Sequence, residues 1–381
     1  MLLFFAKLVY NFLVKKILLL IVLILITSSA STFAKSILAD AEENNIQMFF
    51  LSPLKQKKPK NECKNTACRA LLKNINEAQE SIDFAIYGIN EQDKIFNALV
   101  KAQKRGIKIR WVTDLNEKNR NIYYDTYALM HKIPTYNTDY DSIESKIIPD
   151  YKYKLDYQGA LMHNKFFVFD NKKVFTGSTN ISSYCLTGYN SNVALLIDST
   201  NIADVYRQEF EQMYNGKFHN EKSAILNNEN IKIGDSIVSI YFSPINKTTT
   251  EQIIPIIKSV KSYIYIPAFY LTRKSIIYEL IEAQKRGVDV KIIVDESSVE
   301  GKYVDIDFMK NNGLSVKVEN WSGKMHMKSM IIDDETLIIG SMNFTKQGER
   351  MNDENCLIIK NAPILTKKYK EHFLVLWNSI K

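Results

Sequence analysis

The chain has 381 residues, of which 46% are hydrophobic, 24% charged and 11% aromatic. This composition excludes a disordered chain and leaves length for one large or two ordinary domains. Fifty basic residues stand against 42 acidic ones, a net of +8, which permits an anionic partner without requiring one.

Residues 1–34 contain Lys7, Lys15 and Lys16 and no acid, so the remainder carries a net of only +5. The pair Lys15–Lys16 precedes the apolar run Ile17–Ile26, and small residues follow through Ala30 and Ala34. This order predicts a signal peptide cut after Ala34 or Ala30. The apolar run is about half the ~20 residues needed to cross a bilayer core. An uncleaved N-terminal anchor is the alternative, because residues 2–14 are also largely apolar. Both readings place the body outside the cytoplasm, secreted or periplasmic.

The run Lys55-Gln-Lys57-Lys58-Pro-Lys60 suits a polyanion, either nucleic acid or an anionic bilayer, or is simply a solvated loop. Cys63 and Cys68 are close enough to pair in an exported chain. Cys356, in the apolar run Cys356-Leu-Ile-Ile359, is expected as a buried thiol, and Cys185 is the fourth cysteine. No histidine or second cysteine pair stands near Cys63 and Cys68 to complete a zinc site.

Self-comparison reveals a duplication. Ala102-Gln-Lys-Arg-Gly106 recurs as Ala283-Gln-Lys-Arg-Gly287, each between an apolar helical pattern and a strand ending in Asp114 or Asp295. His163-Asn-Lys165 with Asp170 recurs as His326-Met-Lys328 with Asp333. Gly177-Ser178-Thr-Asn180 recurs as Gly340-Ser341-Met-Asn343, and the closing helices match as well. The chain therefore divides into a first unit over 35–220, a connector over 221–235 and a second unit over 236–381. Strands alternating with helices predict α/β sandwich units with mixed sheets. The Asp-to-His spacing is longer in the first copy, which places an insertion of 18 residues within Leu115–Met162.

His163 and Lys165 are two apart on a predicted strand and share one face, with Met162, Phe166 and Val168 on the other. A hairpin turning near Asp170 returns Ser178 and Asn180 toward them. The second copy repeats this with His326, Lys328, Asp333, Ser341 and Asn343. Each set supplies an acid–base or nucleophilic group, a fixed cation and neutral donors, which suits a tetrahedral oxyanion such as phosphate.

At these residues the chain resembles the phospholipase D superfamily over nearly its whole mature length. The resemblance implies two units about a pseudo-two-fold axis, with both His-Lys pairs meeting in one cleft, so a monomer suffices. It implies that His163 attacks phosphorus to give a phosphohistidine while His326 protonates the leaving oxygen and then activates water. Lys165, Lys328, Asn180, Asn343, Ser178 and Ser341 would hold the phosphate, with no metal and no cofactor. Asp170 and Asp333 are read as fixing the hairpin. The family often places a Glu behind a catalytic His. The second copy has it at Glu354, whereas the first has Ser191 or Asn192 in that place. A carboxylate suits a histidine that gains charge, and an amide suits one that releases a proton. Glu354 is therefore expected behind His163 across the cleft, and Asn192 behind His326.

The insertion region holds eight of the 21 tyrosines, with six basic against seven acidic residues. A Tyr-rich, near-neutral wall fits a lipid headgroup or membrane interface better than a nucleic-acid groove. The sequence thus predicts an exported, metal-independent phosphodiesterase acting on phospholipids. A secreted or periplasmic endonuclease is the first alternative. A phosphatidyltransferase of cardiolipin synthase type is the second, and an inactive binding module the third.

Overall fold

Two eight-stranded sheets with the same strand order organise the chain. The computed structural model describes residues 40–116, 120–133, 135–139 and 159–381. The expected signal peptide and the insertion residues Tyr140, Tyr151, Tyr153 and Tyr157 lie outside them. In the first sheet the strands lie in the order Ala41–Glu43, Ile46–Leu51, Asn192–Asp198, Lys173–Gly177, Lys165–Phe169, Ser81–Ile86, Lys108–Asp114, Tyr136–Asp139. In the second they run Ile231–Ile233, Ser236–Ser243, Glu354–Lys360, Thr336–Gly340, Ser329–Ile332, Tyr263–Ala268, Asp289–Val294, Ser315–Val318. In both sheets the crossover strands pair in parallel, as Ser81–Ile86 does with Lys108–Asp114, and the motif hairpin pairs antiparallel. The two mixed sheets flanked by helices are the duplicated α/β architecture read from the sequence.

The repeated Ala-Gln-Lys-Arg-Gly has a structural purpose in both copies. Gly106 and Gly287 adopt φ near +92° and +91° just past helices Asp93–Lys104 and Lys274–Lys285. That left-handed position closes a helix and costs a side-chain-bearing residue more. Arg105 and Arg286 reach the terminal carbonyls of the preceding helices, at 3.2 Å on Ile75 and 3.0 Å on Ile257.

The inner faces of both sheets and the helices Thr200–Tyr214 and Pro363–Ser379 share one apolar core. Met162, Phe166 and Val168 point into it with Met325, Met327 and Phe242. Tyr206 of the first unit stands edge-on to Phe242 of the second, with centroids 5.4 Å apart. The core thus spans both units, and burial of this apolar surface holds the two motifs together. Cys63 and Cys68 form a disulfide, and Cys185 and Cys356 are buried thiols.

Two local expectations change. The motif strand begins at Lys165, so His163 lies in its lead-in and not on the strand. The cause is that residues 161–163 pair with the other unit, through the Met162–Asp353 bridge. Asp170 and Asp333 do not fix their own hairpins. The Asp170 carboxylate accepts from the backbone N–H of Gln79, Glu80 and Ser81, and Asp333 from those of Lys261, Ser262 and Tyr263. Each aspartate therefore anchors the start of the neighbouring antiparallel strand, Ser81–Ile86 or Tyr263–Ala268.

Candidate active site

Each histidine is fixed first through its backbone. Asp114, the last residue of its crossover strand, and Asp295, the residue just past the matching strand, accept from the N–H of Met162 and Met325, both at 2.8 Å. The next N–H in each copy crosses to the opposite unit. His163 donates to Asp353 O and His326 to Ser191 O, both at 2.9 Å. Because Asp353 and Ser191 occupy the same place in the two copies, the crossing is reciprocal.

The side chains cross as well. Nδ1 of His163 lies 2.8 Å from both carboxylate oxygens of Glu354, and Nδ1 of His326 lies 2.9 Å from Oδ1 of Asn192. Glu354 does not reach His326. The Asn192 amide is oriented by its own Nδ2 bond to Asn190 O at 3.2 Å, so its oxygen faces the ring. Both rings therefore donate from Nδ1, which leaves the lone pair on Nε2 in the neutral state.

The serines differ from the expectation. Ser341 Oγ donates to Glu354 at 2.6 Å and Ser178 Oγ to Asn192 at 2.9 Å. Both are fully buried, and each hydroxyl oxygen accepts a backbone N–H, from Asn355 and Val193. Their single protons are committed, so Ser178 and Ser341 position the groups behind the histidines and are not phosphate donors. The preceding glycine is required there, because a Cβ on Gly177 or Gly340 would meet a backbone carbonyl of the neighbouring strand at 2.3 or 2.1 Å.

Lys165 and Lys328 each donate one N–H to the carbonyl of their own histidine, at 2.6 and 2.7 Å. Two ammonium protons on each remain for an anion. Asn180 donates to Tyr123 OH at 2.9 Å, and the amide oxygens of Asn180 and Asn343 are buried without partners. Tyr123, among the described tyrosines of the insertion region, reaches this site.

Burial dominates the electrostatics. It pushes His163 down to about 4, against the opposing pull of Glu354. Burial and the two lysines hold His326 well below its ordinary value. Burial also lowers Lys165 to about 8 and Lys328 well below the usual lysine range. The free site thus disfavours the charged form of all four groups, and an anion placed among them would favour it.

Several contributors carried no role in the sequence reading. Tyr87 and Phe269 follow matching strands and pack on the two imidazoles, with centroids 5.3 and 5.0 Å away. Asp114 and Asp295 stood out as a repeat but not as anchors. A buried ionic group lies behind His163: Lys222 contacts Asp353 at 2.7 Å and also Glu209, while His219 Nδ1 stands 2.9 Å from Asp353. Asn164, between the motif His and Lys, donates to Glu209 at 3.3 Å. Among the described residues no helix is long and apolar enough to cross a membrane, and no three His, Cys, Asp or Glu side chains are grouped to hold a metal.

Residues 71–214 and 253–377, most of both units, match the family described as "Cardiolipin synthase, PLD-like domain". The chain belongs to the phospholipase D superfamily. It is a phosphodiesterase of that superfamily, in agreement with the enzyme class expected. Phospholipase D of Rickettsia prowazekii is 31% identical over 173 residues, which cover 82% of that protein and 45% of this chain. Mitochondrial cardiolipin hydrolase of Chlamydomonas reinhardtii is 29% identical over 134 residues, 60% of that protein and 35% of this chain. The crystal structure of phosphatidylserine synthase from Haemophilus influenzae superposes with a TM-score of 0.62 over 87% of this chain and 86% of that one. At 14% identity this likeness shows the fold of the superfamily alone.

Proposed function

We propose that this phospholipase D superfamily member is exported and hydrolyses phospholipids through a phosphohistidine on His163. The unequal backing of the two histidines supports this reading most directly. Nε2 of His163 attacks phosphorus as the bond to the leaving alcohol oxygen breaks, and Nε2–H of His326 protonates that oxygen. The phosphoimidazole gains positive charge, which the Glu354 carboxylate stabilises. His326 must give up its proton, and the neutral Asn192 amide does not hold it back. Water then attacks phosphorus, His326 takes its proton, and the P–N bond electrons return to His163. Lys165, Lys328, Asn180 and Asn343 are the residues proposed to bind the phosphoryl oxygens.

The basic pair, short apolar run and small residues of the N-terminal segment support export, and the Cys63–Cys68 disulfide suits an oxidising compartment. The names of the Rickettsia and Chlamydomonas relatives support a phospholipid substrate. Nuclease activity is the second reading, supported by a pair of lysines that would recognise any phosphodiester and by the exposed run Lys57, Lys58 and Lys60. Transfer to an alcohol in place of water is chemically open to the same intermediate.

The test is to incubate the protein in chelator with phosphatidylcholine and a primary alcohol, and in parallel with single-stranded DNA. Phosphatidic acid or phosphatidyl-alcohol formation supports the lipid reading, and DNA cleavage alone replaces it with the nuclease. His163→Ala abolishes either activity, and activity that survives rejects the mechanism. Sequencing the N-terminus of the exported protein tests removal of the signal.

A further inference from the structure

Four exposed large apolar side chains stand on segments that adjoin the two walls of the histidine cleft. Ile122 is 74% exposed, Tyr124 69%, Tyr184 44% and Tyr303 38%. Ile122 stands between two residues that belong to the site wall. Asn121 donates to Tyr87 O at 2.8 Å, and Tyr123 packs edge-on to Tyr87, which itself packs on His163. Tyr124 and Ser183 share the carboxylate of Glu91, at 3.1 and 2.6 Å, so Tyr184 comes alongside Tyr124. On the opposite wall Tyr303 stands edge-on to Tyr270, which contacts Phe269, the ring beside His326.

Cations accompany both flanks. Lys324 is exposed and places its Nζ 5.3 Å from the Phe269 ring. The basic run lies against the first flank, because Asn61 exchanges bonds with Asp93 at 2.8 and 3.1 Å, two residues beyond Glu91. Glu62 takes up Lys60 and Lys64, but Lys57 and Lys58 are exposed and make no ion pair with a described residue.

We propose that this rim is a docking surface for an anionic phospholipid bilayer, with Ile122, Tyr124, Tyr184 and Tyr303 entering the headgroup zone under the lysines. The proposal rests on the phospholipid reading above. Apolar contact and positive charge together are the two signals that reversible membrane attachment needs. Tyrosine suits the interface because its ring is apolar and its hydroxyl wet. A single nucleic-acid strand would also use lysines and stacked rings. The most exposed member here is an isoleucine, which offers a base no π-face but does bury area in lipid. Docking there points the cleft at the bilayer, so that a headgroup phosphate reaches His163 without the lipid leaving the membrane.

Co-sedimentation of the full chain with vesicles of phosphatidylglycerol and phosphatidylcholine tests this, beside turnover of vesicle lipid and of a monomeric short-chain phospholipid. Ile122→Asp/Tyr124→Asp is expected to weaken vesicle binding about tenfold or more and to slow vesicle turnover alike, with short-chain turnover unchanged. Lys57→Ala/Lys58→Ala is expected to cost about fivefold per lysine on anionic vesicles and nothing on pure phosphatidylcholine. Unchanged vesicle binding by both variants overturns the docking surface while leaving the lipid reading in place. Failure of the parent protein to turn over either form of lipid removes the lipid reading itself.

Discussion

Nδ1 of His163 lies 2.8 Å from the carboxylate of Glu354, a residue 191 positions later in the chain and in the other unit. The same ring position on His326 meets only the amide oxygen of Asn192. Two imidazoles that are chemically identical in the sequence therefore face different charges. The His163 ring stands against a carboxylate that favours positive charge on it, whereas the His326 ring meets a neutral amide that favours it far less.

Glu354→Gln is expected to lower kcat/KM by about 10–100-fold, the usual cost of losing a partner behind a reacting histidine. Glu354 raises the His163 pKa against the burial that brings it to about 4. Its removal lets that pKa fall further. In the proposed mechanism His163 attacks as the neutral imidazole, so the acid limb of the pH–rate profile should move to lower pH. A pH–rate series on both proteins checks the sign, and an acid limb that rises or stays fixed contradicts it.

Asn192→Asp places a carboxylate on Nδ1 of His326, which is held well below its ordinary pKa by burial and the lysines. The substitution raises that pKa, so the basic limb should move up. It also lets either ring stabilise a phosphoryl group. Rapid quench followed by peptide mapping should find phosphohistidine on His163 alone in the parent and on both His163 and His326 in the variant.

Ser341→Ala should reduce kcat and leave KM for the phosphodiester almost unchanged, because its proton goes to Glu354 at 2.6 Å. A serine bonded to substrate phosphate would move KM instead. Steady-state kinetics with Ser341→Ala and Ser178→Ala distinguishes the two.

Lys222→Met leaves Asp353 and Glu209 buried without their shared cation. Removing one partner of a buried ionic group costs about 3–5 kcal/mol, a loss measurable by denaturant unfolding. Asp353 also supplies the carbonyl that holds the His163 N–H, so activity should fall before the fold is lost.

Glu319 is raised to about 8 by burial and by Asp295, the residue that anchors Met325 ahead of His326. A carboxyl whose folded pKa exceeds its unfolded value stabilises the fold fully below the unfolded pKa. That contribution is lost as pH rises through the folded pKa. The melting temperature should therefore decline as pH approaches about 8, and Glu319→Gln should flatten that decline. A calorimetric pH series reads both.

The duplication made the fold and both His-Lys pairs legible, since a repeated motif carries its own register. The placement of Glu354 opposite Asn192 was also readable, because the family habit fixes which position stands behind a histidine. The roles of Ser178 and Ser341 were not, because a hydroxyl's partner depends on depth in the fold and not on spacing. Asp170 and Asp333 close strand lead-ins some 90 and 71 positions away in sequence, and no local pattern encodes that. The Lys222–Asp353–Glu209 group joins three separate segments and left no signal beyond three ordinary charged residues.

The reciprocal backbone crossing has one more consequence. An assembly of two identical single units would be bound by symmetry to put the same side chain behind both histidines. Joining the units in one polypeptide lifts that constraint, since each copy can mutate alone while the shared hydrogen bonds keep the halves in step. The Glu354/Asn192 difference, and the Asp353/Ser191 difference beside it, are changes that an assembly of identical units could not hold. Carrying both copies in one polypeptide is what allows the two histidines their unlike surroundings.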